Sequence, residues 1–115
     1  MSIRIINNPT TKSELAVIAQ EQFGDMVKAV VDIGQGIMAV GGELHADEEA
    51  LLLEQGSKQE YLWGINIYPH QLIESWIEFD SMINIRPGQG NRSRGVENAN
   101  IQDKIKEIVG KLITL

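Results

Sequence analysis

Cysteine is absent from this chain, which excludes disulfides, thiolate metal ligands and cysteine nucleophiles. Only three prolines are present and aromatic residues make up 5%, so a core must be built mainly from aliphatic side chains. No apolar run approaches the ~18–20 residues that a membrane-spanning helix needs, which argues against a membrane partner. The opening "MSIRIINNPTTKSE" has no long apolar stretch and does not read as a secretory signal, so the expectation is a cytoplasmic protein. Positive charge is also scarce: ten Lys and Arg stand against sixteen Asp and Glu, for a formal net charge of −6. A surface of that sign repels nucleic acid as a whole.

What is present is ordinary for a globular domain. A length of 115 residues with 43% hydrophobic and 23% charged residues predicts one domain over 1–115, with neither linker nor disorder. The distribution of charge is not ordinary. "INIRPGQGNRSRGVEN" (83–98) holds three of the four arginines, Arg86, Arg92 and Arg94, and no acid before Glu97. Setting their +3 aside leaves −9 on the rest of the chain. The densest acid lies in "GGELHADEEALLLEQGSKQE", with six carboxylates and one lysine.

Periodicity and punctuation predict the elements. "IRII" reads as a short strand. Thr11 and Glu14 form a capping-box pattern before a helix that Gly24 closes. Residues 25–33 and 37–44 read as a hairpin around "GQG". A second helix has Asp47, Glu48 and Glu49 in its first turn, Leu51, Leu52 and Leu53 as its buried side, and Gly56 after its end. Ser57 to Glu60 reads as the cap of a short turn. "INIYPHQ" (65–71) and "INIRPGQ" (83–89) match at five of seven positions. They are predicted as two strands that bury their isoleucines and, if paired, bring Asn66 and Asn84 together. Ile101, Ile105, Ile108 and Leu112 form one stripe of a last helix capped by Asn98 or Asn100. The expected fold is α+β, in the order β-α-β-β-α-β-β-α. It has a mostly antiparallel sheet of four or five strands, with the three helices packed on one face.

Four groups of residues could carry chemistry. The arginine loop offers planar guanidinium forks among glycines, and it leads into a helix N-terminus, which suits an anion. Its spacing is neither a Walker loop nor a dinucleotide fingerprint, and the same arginines could instead pair with the protein's own carboxylates. Glu43, His45 and Asp47 alternate, so on a continuing strand they would share a face as acid/base groups or metal ligands. Asp47 and Glu48 are already explained as first-turn helix acids, and no metal is assigned. Ser57, Ser75, Ser81 and Ser93 lack any nucleophile-elbow pattern. Trp63 and Trp76 could stack a base beside the loop, but they fit better as large pieces of a small core.

The blocks "GGELHADEEALLLEQGSKQEYLWGINIYP" and "INIRPGQGNRSRGVEN" resemble a family of short bacterial and archaeal proteins of unknown function, over most of the chain from about Met26. The resemblance implies a small stand-alone prokaryotic protein and brings no activity, substrate or cofactor. Function therefore rests on the residues. The expectation is a binding module whose loop takes a small anion (nucleotide, phosphorylated metabolite or carboxylate) on Arg86, Asn91, Arg92 and Arg94, with Asn84 and Asn66. The alternatives are a homodimer in which that loop meets the acidic surface of a second copy, and a hydrolase that adds Glu43, His45 and Asp47.

Overall fold

The computed structural model describes residues 2–115. In chain order the elements are β1 (Arg4–Ile6), β2 (Thr10–Thr11), α1 (Lys12–Gln22), β3 (Val27–Asp32), β4 (Ile37–Val40), α2 (His45–Glu54), β5 (Leu62–Ile67), β6 (Ile77–Glu78), α3 (Ala99–Leu112) and β7 (Ile113–Thr114). Five strands form an antiparallel sheet in the order β1-β4-β3-β5-β6, and β2 pairs with β7 in a small parallel ladder. The architecture is α+β, as the sequence predicts. Among the described residues no helix is long and apolar enough to cross a membrane.

The helices start and stop where local chemistry dictates. Thr11 Oγ1 accepts from the Glu14 amide at 3.1 Å to open α1, and Asn98 Oδ1 accepts from Asn100 and Ile101 amides to open α3. Gly24 and Gly56 follow α1 and α2 with φ of +89° and +102°, a left-handed conformation that a side chain would disfavour. The hairpin of β3 and β4 is held by buried Asp32, whose Oδ1 accepts from the Gly34 and Gln35 amides at 2.8 and 3.0 Å.

The helices do not share one face of the sheet. One face carries Val27, Ala29, Val31, Met38, Val40, Trp63, Ile65 and Ile67, covered by α1 and α3 through Leu15, Ala19, Ile105 and Val109. The other face carries Val30, Ala39 and Leu62, covered by Leu52 of α2. The reason lies in the strands: every residue of β5 is buried, so both side-chain parities need a covering layer. Both tryptophans are core residues, each 2% exposed.

Three other expectations are corrected. In α2 only Leu52 of the leucine run is fully buried, and the inner face is His45, Glu48 and Leu52. Three successive residues of a helix point about 100° apart, so they cannot share one contact face. Ser57 does not cap the turn Gln59–Tyr61, which starts after Lys58 without a side-chain cap; its Oγ donates to Asp32 Oδ2 at 2.7 Å instead. The second copy of the repeat is not a strand. Met82–Asn84 is a 3-10 turn, β5 pairs with Ile77–Glu78, and Ile85 is 39% exposed. The two "INI" segments therefore do not form a hairpin, and Asn66 and Asn84 are not cross-strand partners.

Candidate functional site

The arginine loop is built around its asparagines. Asn84 is fully buried; its Oδ1 accepts from the Gly64 amide at 2.8 Å, and its Nδ2 donates to Gly64 O and Arg94 O, both at 2.9 Å. A side-chain amide thus supplies the pair of bonds that a neighbouring strand would have made to β5. Gly64 has to be glycine here, because an added Cβ would lie 2.5 Å from Ser81 Cβ. Asn91, 4% exposed, donates Nδ2 to the carbonyls of Asn84, Ser93 and Gly95, and its Oδ1 accepts from the Glu97 amide. Glu97 in turn accepts from the Arg92 and Ser93 amides at 2.8 Å, and these bonds hold its pKa below the usual carboxylate range.

The three arginines have different environments. Arg86 is engaged internally: Nε donates to Ile83 O at 3.0 Å, Nη1 to Gln59 O at 2.6 Å, and Nη2 to Leu62 O. Its guanidinium also stacks 4.5 Å from the centroid of Trp63. Burial lowers its pKa from the ordinary arginine value. Arg86→Lys should lower stability by about 2 kcal/mol in urea unfolding, since one ammonium cannot span three carbonyls and each charged hydrogen bond contributes roughly 1.5–3 kcal/mol. An unchanged midpoint would show that the strut is idle. Arg94 is exposed, and its Nε donates to Asp80 Oδ1 at 2.5 Å, which raises its pKa. The Arg92 side chain makes no hydrogen bond or ion pair among the described residues.

The loop contributes to a cleft that the sequence does not outline. A space of about 440 Å³ on the α2 face of the sheet is lined by Lys28, His45, Asn66, Glu78, Asp80 and Arg94, among others. Of the sequence-derived candidates it gathers His45, Asn66, Ser81 and Arg94. The loop and the "GELHAD" segment therefore meet, through Arg94 and His45. Glu43 and Asp47 do not join them; they border a separate shallow depression with Ile3 and Gly42. The alternation that would have put Glu43, His45 and Asp47 on one strand face fails because β4 ends at Val40 and α2 begins at His45. Among the described residues no three His, Asp or Glu side chains stand close enough to hold a metal ion.

Each polar group in the cleft has a defined state. The His45 Nε2 lies 2.7 Å from Ile65 O. A carbonyl only accepts, so Nε2 carries the proton and Nδ1 is the lone-pair nitrogen. Burial holds the imidazole pKa below its ordinary value, so the ring is neutral at pH 7. Asn66, 6% exposed, donates Nδ2 to Glu78 Oε1 at 2.8 Å, and its Oδ1 is buried without a partner among the described residues. Glu78 Oε1 also accepts from the Tyr68 hydroxyl at 3.0 Å. Lys28 forms no ion pair among the described residues; its Nζ lies 5.2 Å from the centroid of Phe23. Finally, α2 begins after Leu44 with no side chain capping it, and Leu44, His45 and Ala46 all border the cleft.

Sequence reading missed Lys28 and the open helix terminus. The signals were there: a lone lysine inside "VKAVVD", and leucine where Ser, Thr, Asp or Asn normally caps. A larger groove of about 800 Å³ lies between α3 and the Ile73–Ile77 segment. It is mainly apolar, and of the candidate residues it takes only Trp76, whose ring belongs to the core.

A family model described as "Protein of unknown function (DUF5674)" matches residues 4–112. The chain belongs to this family. No curated protein and no solved structure matches the chain. Family membership brings no reaction with it, so function has to be argued from the cleft.

Proposed function

We propose that this protein is a small binding module that takes a small anion, a carboxylate or the phosphate of a metabolite or nucleotide, in the cleft at the start of α2. The observation that carries the reading is that the N-terminus of α2, without a side-chain cap, and Lys28, without an ion pair among the described residues, border the same space. Free amides at a helix start and a nearby ammonium group are complementary to negative charge. The acids that share the cleft are already engaged, Asp80 by Arg94 and Glu78 by Asn66 and Tyr68. This reading keeps Arg94 from the loop and gives Arg86, Asn84 and Asn91 the task of holding the loop in shape. His45 is a neutral wall residue, and no bond-breaking step is assigned.

Calorimetric titration with inorganic phosphate and with acetate tests the reading. Saturable binding of at least one is expected. Lys28→Gln should weaken it about tenfold or more, the effect of losing one charge-assisted hydrogen bond. Arg94→Gln should also weaken it, whereas Arg92→Gln should not, because Arg92 does not border the cleft. Absence of saturable binding, or unaltered affinity in Lys28→Gln, would overturn the proposal.

A further inference from the structure

The cleft carries two chemically distinct sets of groups, and only one of them suits a bare anion. One set is donors: Lys28 and the first amides of α2. The other is acceptors whose orientation the protein has already settled: Asn66, directly across the ladder from Lys28, and the ring of His45, the first residue of α2. The Asn66 amide cannot be turned round, because Glu78 accepts from its Nδ2, so the unpartnered buried oxygen is Oδ1. His45 cannot offer a proton from Nδ1, because Ile65 O holds the ring proton at Nε2. Nδ1 makes no hydrogen bond among the described residues. A buried acceptor left without a donor costs free energy, and a site built this way discriminates strongly against a ligand that cannot supply one.

We infer that the cleft selects a small acid bearing a hydroxyl or ammonium donor beside its carboxylate or phosphate, with the charge at Lys28 and the donor at Asn66 Oδ1 and His45 Nδ1. The inference rests on the anion reading above and narrows it to a class of ligand. A bare anion of the same size satisfies only the donors. The donor-bearing acid satisfies both sets, and Glu78, which also lines the cleft, adds attraction where that donor is an ammonium group.

Matched probes test this: acetate against glycolate and glycine, and methyl phosphate against 2-hydroxyethyl phosphate and phosphoethanolamine. In at least one series the donor-bearing member should bind about tenfold or more tightly than its bare partner. The hydroxyl and ammonium arms report which donor is preferred. His45→Phe keeps an aromatic ring but has no acceptor in place of Nδ1. In that variant the ratio of affinities between the donor-bearing probe and its bare partner should fall most of the way to one. Equal affinities within both series would overturn the inference and leave anion binding standing, whereas no binding by any probe would remove both. A donor advantage undiminished in His45→Phe would overturn the assignment to Nδ1. The wild-type comparison stands even if the variant folds poorly.

Discussion

Asn84→Ala should destabilise the protein by about 4 kcal/mol, lowering the melting temperature by roughly 15 °C or more. The residue is fully buried in the middle of a loop, and solvated loop positions usually tolerate substitution within ~0.5 kcal/mol. The difference is that Asn84 completes the sheet. Truncation leaves Gly64 N–H, Gly64 C=O and Arg94 C=O without partners, and each buried orphan costs about 1–3 kcal/mol. Water cannot easily replace the amide, since Ser81 packs against Gly64 closely enough to exclude even a methyl group there. Asn84→Asp provides a second measure. It keeps an acceptor for Gly64 N–H but sets a carboxylate oxygen against two carbonyls, so it should be at least as damaging at neutral pH. Urea denaturation of both variants decides the matter; a loss below about 1 kcal/mol would show that the side chain is not part of the ladder.

Glu48→Gln should do the opposite and stabilise the protein, increasingly so as pH rises. Glu48 is completely buried on the inner face of α2. Its Oε2 accepts from the Gly42 amide at 2.9 Å, but its Oε1 has no partner among the described residues. Burial outweighs that hydrogen bond and the nearby Lys28, and pushes the pKa up to about 9. The folded protein therefore holds a proton that the unfolded chain releases above its ordinary value of 4.5. A raised folded pKa means stability that is fully present below the unfolded pKa and lost as pH rises through the folded one. The loss is about 1.4 kcal/mol per pH unit. Gln is a neutral near-isostere that does not titrate, so the advantage of Glu48→Gln over wild type should be near zero at pH 4.5. It should grow with that slope, reaching roughly 3 kcal/mol at pH 7. Thermal unfolding of both proteins between pH 5 and pH 9 gives the difference directly. A difference that stays flat across that range would mean the carboxylate is charged in the folded state.

These two residues also mark where sequence and structure part. Asn84 in "INIRPGQ" is indistinguishable by pattern from Asn66 in "INIYPHQ". One lies in a strand and the other in a turn, because the space beside Gly64 is filled by a side-chain amide rather than by backbone. Glu48 reads as a first-turn acid suited to the helix dipole, and its sequence neighbours cannot reveal that the inner face passes through position 48. That depends on how α2 is rotated on the sheet, which Leu52 and His45 settle together.

By itself the sequence determined what short-range chemistry controls. The positions of α1, α2 and α3, the Thr11 cap, a cap for α3 at Asn98 or Asn100, the hairpin around Gln35 and the mostly antiparallel α+β class all follow from periodicity, capping side chains and turn residues. It also showed that Arg86, Arg92 and Arg94 are concentrated in one loop. Only the tertiary structure decided their separate fates: Arg86 locked onto carbonyls over Trp63, Arg94 paired with Asp80 at the cleft, and Arg92 left outside it. It likewise brought Lys28, His45 and Asn66 from three elements to one cleft while sending Glu43 and Asp47 elsewhere. The physical reason is range. Caps and turns are satisfied within a few residues of chain, whereas a guanidinium or a carboxamide binds whichever backbone groups the packed sheet leaves unpaired, and those are known only once the strands are in register.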